Sequence, residues 1–335
     1  MLHIAMLGLA HVHADGYARQ IVNHPEAEIV CVWDDDEARG HAAAEKYSVA
    51  YARDLEAILS REDVDAVVVN APTVQHKDIL LAAVAHLKHI FTEKALTVTT
   101  ADADTVVEAV QASKIRFMIS LPSRTRSEIL FLKKVLDAGW LGRVTMMRAR
   151  IAHQAALDHW FHGGTAWFGD EAQAGGGALF DLGCHIVDVM RWLLGEPASV
   201  VAKTQNFSQA YDIDDQTVAI VEFRDGALGI LDTSWVHRAG PNPIEIYGTD
   251  GYVGYSGRGE QIQLISTHLQ PSGVQGAILP SELPQPLPSP MEQWISAILR
   301  DMPMTITVED GRNLTQLLEG IYQAARTGRQ VHFRA

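Results

Sequence analysis

At 335 residues the chain is too long for one ordinary domain, and its 47% hydrophobic and 20% charged content is that of a folded protein. A formal net charge of -14 repels phosphate backbones and anionic bilayers, which argues against nucleic acid or membrane as a partner. Cys31 and Cys184 lie in apolar runs without a CxxC partner and read as buried thiols. With no basic leader and no apolar stretch of membrane-spanning length, the cytoplasm is the expected location.

Short apolar runs alternate with helical patterns through the first third. Strands are expected at Ile4–Leu7, Ile29–Trp33, Ala66–Val69, His89–Thr92 and Arg116–Ser120. Helices are expected at Ala14–Asn23, Glu37–Tyr47, Asp54–Ser60, Lys77–His86 and Ala101–Ala112. That rhythm implies an α/β fold with right-handed crossovers and a parallel, doubly wound sheet. The apolar runs lack strict alternation, as expected where both sheet faces are covered.

The rhythm changes after Leu121. A helix near Ile129–Ala138 precedes strand-like segments at Val144–Ala152, Val200–Phe207, Thr217–Phe223, Ala227–Val236, Ile244–Gly248 and Ile262–Ser266. Polar turns such as Arg224-Asp225-Gly226 and Thr249-Asp250-Gly251 join several of them, the pattern of a mainly antiparallel sheet carrying a few helices. Pro271–Pro290 is proline-rich and expected to be an extended loop. Helices over Met291–Arg300 and Val308–Ala325 close the chain. The expected domains are residues 1–121 and residues 122–335.

The first strand runs into Gly8-Leu9-Ala10-His11-Val12-His13 ahead of a helical pattern. In a dinucleotide fold the first glycine makes the tight turn, the next small residue lets amides reach the pyrophosphate, and the helix dipole favours the anion. Ala10 and His13 stand where second and third glycines are usual, so the fingerprint is partial. The second strand ends at Trp33 and enters Asp34-Asp35-Asp36. Asp34 is placed to bind the adenosine ribose hydroxyls, and a carboxylate there repels a 2′-phosphate, which favours NAD over NADP. Asp35 or Asp36 suits a cap for the helix at Glu37.

Further stretches carry a family likeness. They are Asp65-Ala66-Val67-Val68-Val69-Asn70-Ala71-Pro72 through His76, Glu93-Lys94-Ala95-Leu96, Gly175-Gly176-Gly177 through Asp181-Leu182-Gly183-Cys184-His185, and Trp192-Leu193-Leu194-Gly195. Glu245 through Gly251 and Ala324 through Arg329 follow in the same order. The chain resembles, from end to end, the Gfo/Idh/MocA oxidoreductases, relatives of glucose-fructose oxidoreductase and inositol dehydrogenase. The resemblance implies a Rossmann domain followed by an α+β domain with a large open sheet, through which a homodimer or homotetramer forms. It also implies NAD(P)-linked hydride transfer on sugars, polyols or related alcohols.

By that resemblance Lys94 corresponds to the lysine touching nicotinamide and substrate, His185 to the acid/base, and Asp181 to the carboxylate beside it. Gly8, Leu9, Ala10, His11 and Val12 correspond to the cofactor loop; Ala71, Pro72 and His76 lie in the segment near the cofactor, and Glu93 precedes the lysine. The family normally has proline after the lysine, whereas this chain has Ala95. A cis bond before a non-proline residue costs about 2.5–4 kcal/mol, so a trans Lys94–Ala95 bond is expected.

These residue types suit alcohol oxidation, which needs a base for the hydroxyl proton and a positive group for the developing alkoxide. Asp181 and His185 are four apart and share a helix face that Asp188 extends, while Leu179, Leu182, Ile186, Val189 and Leu193 face the core. A neutral imidazole takes a proton near physiological pH. His153, His159 and His162 cluster beside Trp160 and Trp167; their spacing matches no zinc motif, so no metal is assigned, and His153 and Trp160 are candidates for contact with a polyol. Arg124 and Arg126 are candidates for an anionic substrate group, with surface salt bridges as the alternative. Two rival readings use the same parts. One is an elimination of glycosidase type through transient oxidation, which gives no net NADH; the other is a non-catalytic NAD-binding sugar sensor, which would not need Lys94, Asp181 and His185 together.

Overall fold

The computed structural model describes residues 1–257, 259, 261–269 and 279–334. The chain divides into two compact units, and each draws on separated segments.

The first unit comprises residues 1–121, 161–175 and 288–316. Its elements are β1 (Leu2–Leu7), α1 (Ala14–Val22), β2 (Ala27–Trp33), α2 (Glu37–Tyr47), β3 (Ala50–Tyr51), α3 (Leu55–Leu59), β4 (Ala66–Val69), α4 (His76–Ala85), β5 (His89–Thr92), α5 (Thr100–Ala112) and β6 (Phe117–Ile119). The strands form one parallel sheet in the order β3-β2-β1-β4-β5-β6, the doubly wound dinucleotide topology. Every residue of β4 is buried, which explains its unbroken Ala-Val-Val-Val run. Asp36 caps α2 by accepting from Arg39 N, and Thr99 caps α5 by accepting from Asp102 N. The two-residue β3 was not foreseen; it is too short to show a period.

Leu121 ends the first stretch of this unit, as the sequence suggests, but the chain returns to it twice. The reason is aromatic packing and hydrogen bonding. Trp167 donates its indole N–H to Ala10 O at 3.0 Å, and Trp294, fully buried in the helix Pro290–Arg300, donates to Arg116 O at 3.1 Å and packs on Phe91. Residues far along the chain thus complete the core of its first third.

The second unit comprises residues 122–160, 176–287 and 317–335. Its strands are β7 (Val144–Ala152), β8 (Pro197–Gln205), β9 (Gln216–Phe223), β10 (Leu228–Ser234), β11 (Ile244–Gly248), β12 (Gly251–Tyr255), β13 (Gln263–Ser266) and β14 (Val331–His332). They form one sheet in the order β13-β12-β11-β7-β10-β9-β8-β14. All neighbours are antiparallel except β7 and β10, so the sheet is mixed at its centre. One face is covered, by helices including Ser127–Asp137 and Cys184–Leu194, and β9 alternates buried and exposed residues accordingly. On the other face Val201 pairs with Ile220, and Ile220 with Ile230. The expected proline-rich loop falls partly on residues 270–278, outside the described residues; positions 279–289 hold neither helix nor strand, and Pro290 instead opens a helix. Among the described residues no helix is long and apolar enough to cross a membrane.

Candidate active site

The carboxyl ends of β1, β4 and β5 are adjacent in the sheet, and the expected cofactor residues follow directly from them. Gly8 adopts φ +70°, and a Cβ there would lie 2.7 Å from Ala71 Cα, so only glycine lets the loop approach the segment after β4. His11 N then bonds Asn70 O at 3.0 Å, tying the two loops together. A cleft of about 330 Å³ runs along Leu9, Ala10, His11 and Val12 to α2, with the small side chains of Ala42 and Ala43 on its wall. A glycine turn, a helix N-terminus without a side-chain cap and a cleft walled by small residues fit a dinucleotide. Asp34 lies at this edge, with a side chain that exposes no surface.

Below the loop, Glu93 is the hub. Its Oε1 takes His13 Nδ1 at 2.8 Å and the Tyr17 hydroxyl, with His11 Nδ1 at 3.5 Å; its Oε2 accepts the Lys94 amide at 2.9 Å. Tyr17 also lies 2.7 Å from Ser120 Oγ. Burial pushes the Glu93 carboxyl up, but His11, His13 and Lys94 around it hold it well below the usual range. Burial and the adjoining Glu93 carboxylate push the Tyr17 phenol well above its usual range. The ligating atoms of His11, His13 and Glu93 lie within 4.8 Å of one another, the one such group among the described residues.

The Lys94–Ala95 bond is cis, which corrects the expectation of a trans bond. Tertiary surroundings hold it: Ala95 is buried, and its carbonyl accepts from His76 Nδ1 at 2.9 Å. His76 Nε2 lies 3.0 Å from Ala71 O, so this buried ring sits between the Ala71 and Ala95 carbonyls, and its neutral form donates to one of them. Burial lowers its pKa.

Asp181 and His185 belong to the second unit, Lys94 to the first. Asp181 lies in a single π turn, Leu179–Gly183, that runs into the helix Cys184–Leu194 carrying His185; both residues are half-buried. Asp214 fixes the start of this segment. Its carboxylate accepts Gly177 N at 2.9 Å, Leu179 N at 3.3 Å and the Tyr322 hydroxyl at 2.7 Å, and its carbonyl accepts Ala178 N at 2.9 Å. A Cβ on Gly177 would collide with that carbonyl, which accounts for the glycine run. Leu179, Ile186 and Val189 are buried as expected, while Leu182 and Leu193 are half-buried.

The remaining candidates have other partners. Arg124 and Asp188 form a buried bidentate pair, with Nε–Oδ2 at 3.0 Å and Nη2–Oδ1 at 2.6 Å, and the guanidinium lies over Trp192. Asp188 therefore turns inward instead of extending the acid/base stripe. Arg126 meets Glu128 at 3.4 Å. His153 stacks on Trp160 with centroids 4.9 Å apart, while His159 meets Tyr211 edge-on. Among the described residues the three clustered histidines do not converge on a common ligating point. Sequence reasoning missed Arg39, Tyr17, Ser120, Asp214 and Tyr322, whose partners are mostly remote in the chain.

The model of an oxidoreductase family with an NAD-binding Rossmann fold matches residues 2–121, and that of the GFO/IDH/MocA C-terminal domain matches residues 129–254. The chain is 25% identical over 256 residues to scyllo-inositol 2-dehydrogenase (NAD(+)) of Bacillus subtilis (strain 168), covering 74% of this chain and 72% of that protein. GenD2 from gentamicin A biosynthesis, solved in complex with NAD, is similar with TM-score 0.82 and 28% identity over 100% of this chain and 97% of that one. Levoglucosan dehydrogenase, in complex with NADH and levoglucosan, shares the fold with TM-score 0.85 at 21% identity over 100% of both chains. The chain belongs to the GFO/IDH/MocA family of oxidoreductases, and its cofactor is NAD.

Proposed function

We propose that the protein oxidises a hydroxyl of a sugar or polyol, or reduces the matching carbonyl. The observation that carries this reading is the position of Lys94, just past the carboxyl end of β5 and in the same unit as the Gly8–Val12 loop. Bound NAD supplies the hydride acceptor. His185 takes the hydroxyl proton, Asp181 orients the imidazole, and the Lys94 ammonium stabilises the negative charge growing on the substrate oxygen. Glu93 holds the lysine's backbone in place, and His76 lies against the Ala71 carbonyl. His153 and Trp160 offer a stacked ring pair to the apolar face of a sugar. The chemistry of the relatives supports the substrate class: they include a scyllo-inositol dehydrogenase and a levoglucosan dehydrogenase, each 25% identical over the matched residues.

A panel of inositols, aldoses and glycosides, followed by NADH absorbance and by product analysis, tests the reading. NADH formed one-for-one with a carbonyl product is expected, and His185→Ala should lower kcat by about 10²–10⁴-fold while NAD affinity stays within a few-fold. A loss under about threefold would move the acid/base role elsewhere. Product without net NADH would favour elimination; sugar binding without turnover would favour a sensor.

We infer a homodimer or homotetramer built on the open sheet. The apolar row Val201, Ile220 and Ile230 lies on one face of the sheet, and among the described residues nothing buries Val201 or Ile220, which are both exposed. Ile220→Lys should shift the species seen by light scattering towards monomer. The buried thiols of Cys31 and Cys184 are in keeping with a cytoplasmic location.

A further inference from the structure

Asp34 stands where a dinucleotide fold places its ribose-binding acid, yet its lone pairs are already committed. Oδ2 accepts Leu9 N at 2.7 Å and Arg39 Nε at 2.9 Å; Oδ1 accepts Asp36 N at 2.8 Å and Arg39 Nη2 at 2.6 Å. A carboxylate has about four acceptor sites, so this one is full. A ribose hydroxyl reaches it only by displacing the guanidinium.

The neighbouring acids do not take over. Asp36 caps α2 through Arg39 N. Asp35 accepts from Gln75 Nε2 at 2.7 Å and Arg39 Nη2 at 2.9 Å, and it does not line the cleft beside the phosphate loop. Arg39 does line that cleft, together with Leu9, Ala43 and Lys46, and a quarter of its side chain is exposed (25%). Nε and both Nη2 hydrogens of Arg39 are taken by Asp34 and Asp35, so what Arg39 presents to the adenosine end is its Nη1 donors, backed by a buried carboxylate.

We propose that Arg39 is the residue that reads the adenosine ribose, and that its guanidinium admits the 2′-phosphate of NADP as well as the free diol of NAD. With the diol, Arg39 donates to the hydroxyl oxygens while remaining on Asp34. With the phosphate, the two Nη1 hydrogens make charge-assisted bonds that a lone aspartate would forbid. Asp35 and Asp36 keep the surroundings acidic, so NAD remains the tighter ligand. Asp34 becomes a positioning residue, which holds the Leu9 amide with one oxygen and aims Arg39 with both.

Dissociation constants measured by calorimetry, without substrate, test the proposal. The wild-type protein should bind NADP no more than about a hundredfold more weakly than NAD, because one charge-assisted bond is worth roughly ten- to hundredfold. Arg39→Gln should weaken NADP by about tenfold or more and NAD by less than about threefold, since Asp34 is then open to the diol. Arg39→Lys should fall between, because it keeps the charge and loses the fork. Equal losses for both cofactors, or tighter NADP in Arg39→Gln, would overturn the proposal. Should Arg39→Gln fail to fold, competition on the wild-type protein decides: 2′,5′-ADP displacing NAD within about tenfold of 5′-AMP supports the role of Arg39, and no displacement overturns it.

Discussion

Glu93 and Asp214 are two enclosed carboxylates, one in each unit, whose surroundings drive them in opposite directions. Burial acts against the charge in both. Around Glu93 the answer is cationic: His11, His13 and Lys94 hold its carboxyl well below the usual range. Around Asp214 the donors are neutral, namely two backbone amides, the Tyr322 hydroxyl and Thr217, and burial wins, so its carboxyl is pushed up. Cations make a buried carboxylate a fixed charge that balances its neighbours. Neutral donors make it a geometric clamp whose charge is secondary. The first lies beside Lys94; the second lies at the root of the helix that carries His185.

The sharpest way to break this contrast is Glu93→Gln. It leaves three basic groups without their counter-charge, and removing one partner of a buried pair costs about 3–5 kcal/mol, read by chemical denaturation at pH 7. Because the Glu93 carboxyl is depressed, its contribution is present above its ordinary value of 4.5 and is lost as pH falls below it. The stability gap between wild type and variant should therefore be full above about pH 5 and narrow steadily as the pH falls below the ordinary value. A gap that does not change over this range would show that Glu93 acts by shape alone.

Asp214→Asn is the milder change. An amide cannot accept all the donors a carboxylate does, and one unmet buried donor costs about 1–3 kcal/mol. Here kcat should fall more than NAD affinity, since the root of the Asp181 turn loosens. Tyr322→Phe should be smallest, about 1 kcal/mol for one hydrogen bond. If Tyr322→Phe costs more than Asp214→Asn, the clamp centres on the phenol.

Local pattern carried most of the fold. α2, β4, β5, β7 and β11 fall on the boundaries expected from periodicity and turn residues. β12 was missed because Gly251-Tyr252-Val253-Gly254-Tyr255 carries two glycines, and β14 because two residues show no period. The geometry of the candidate site was legible where it is local, as in the turn at Gly8 and the contact between Glu93 and the Lys94 amide. It was illegible where it depends on side-chain geometry or on distant partners: Asp34 is only five residues from Arg39, yet nothing in the pattern announces their bidentate bond, and nothing in Asp214 announces Gly177, thirty-seven residues upstream. The Lys94–Ala95 isomer belongs to the same class, set by His76 and burial and not by alanine's own preference.

The returns of the chain to its first unit bear on how such a protein is inherited and rebuilt. Residues 1–121 contain every strand of the cofactor-binding sheet, yet Ala10 and Phe91 are covered by Trp167 and Trp294. A recombination that swapped only those residues would bring in a sheet whose indole partners had evolved against another surface. Three segments, not one, form the exchangeable cassette, so a chimera built at position 121 inherits a mismatch at two tryptophans even when both parents fold well.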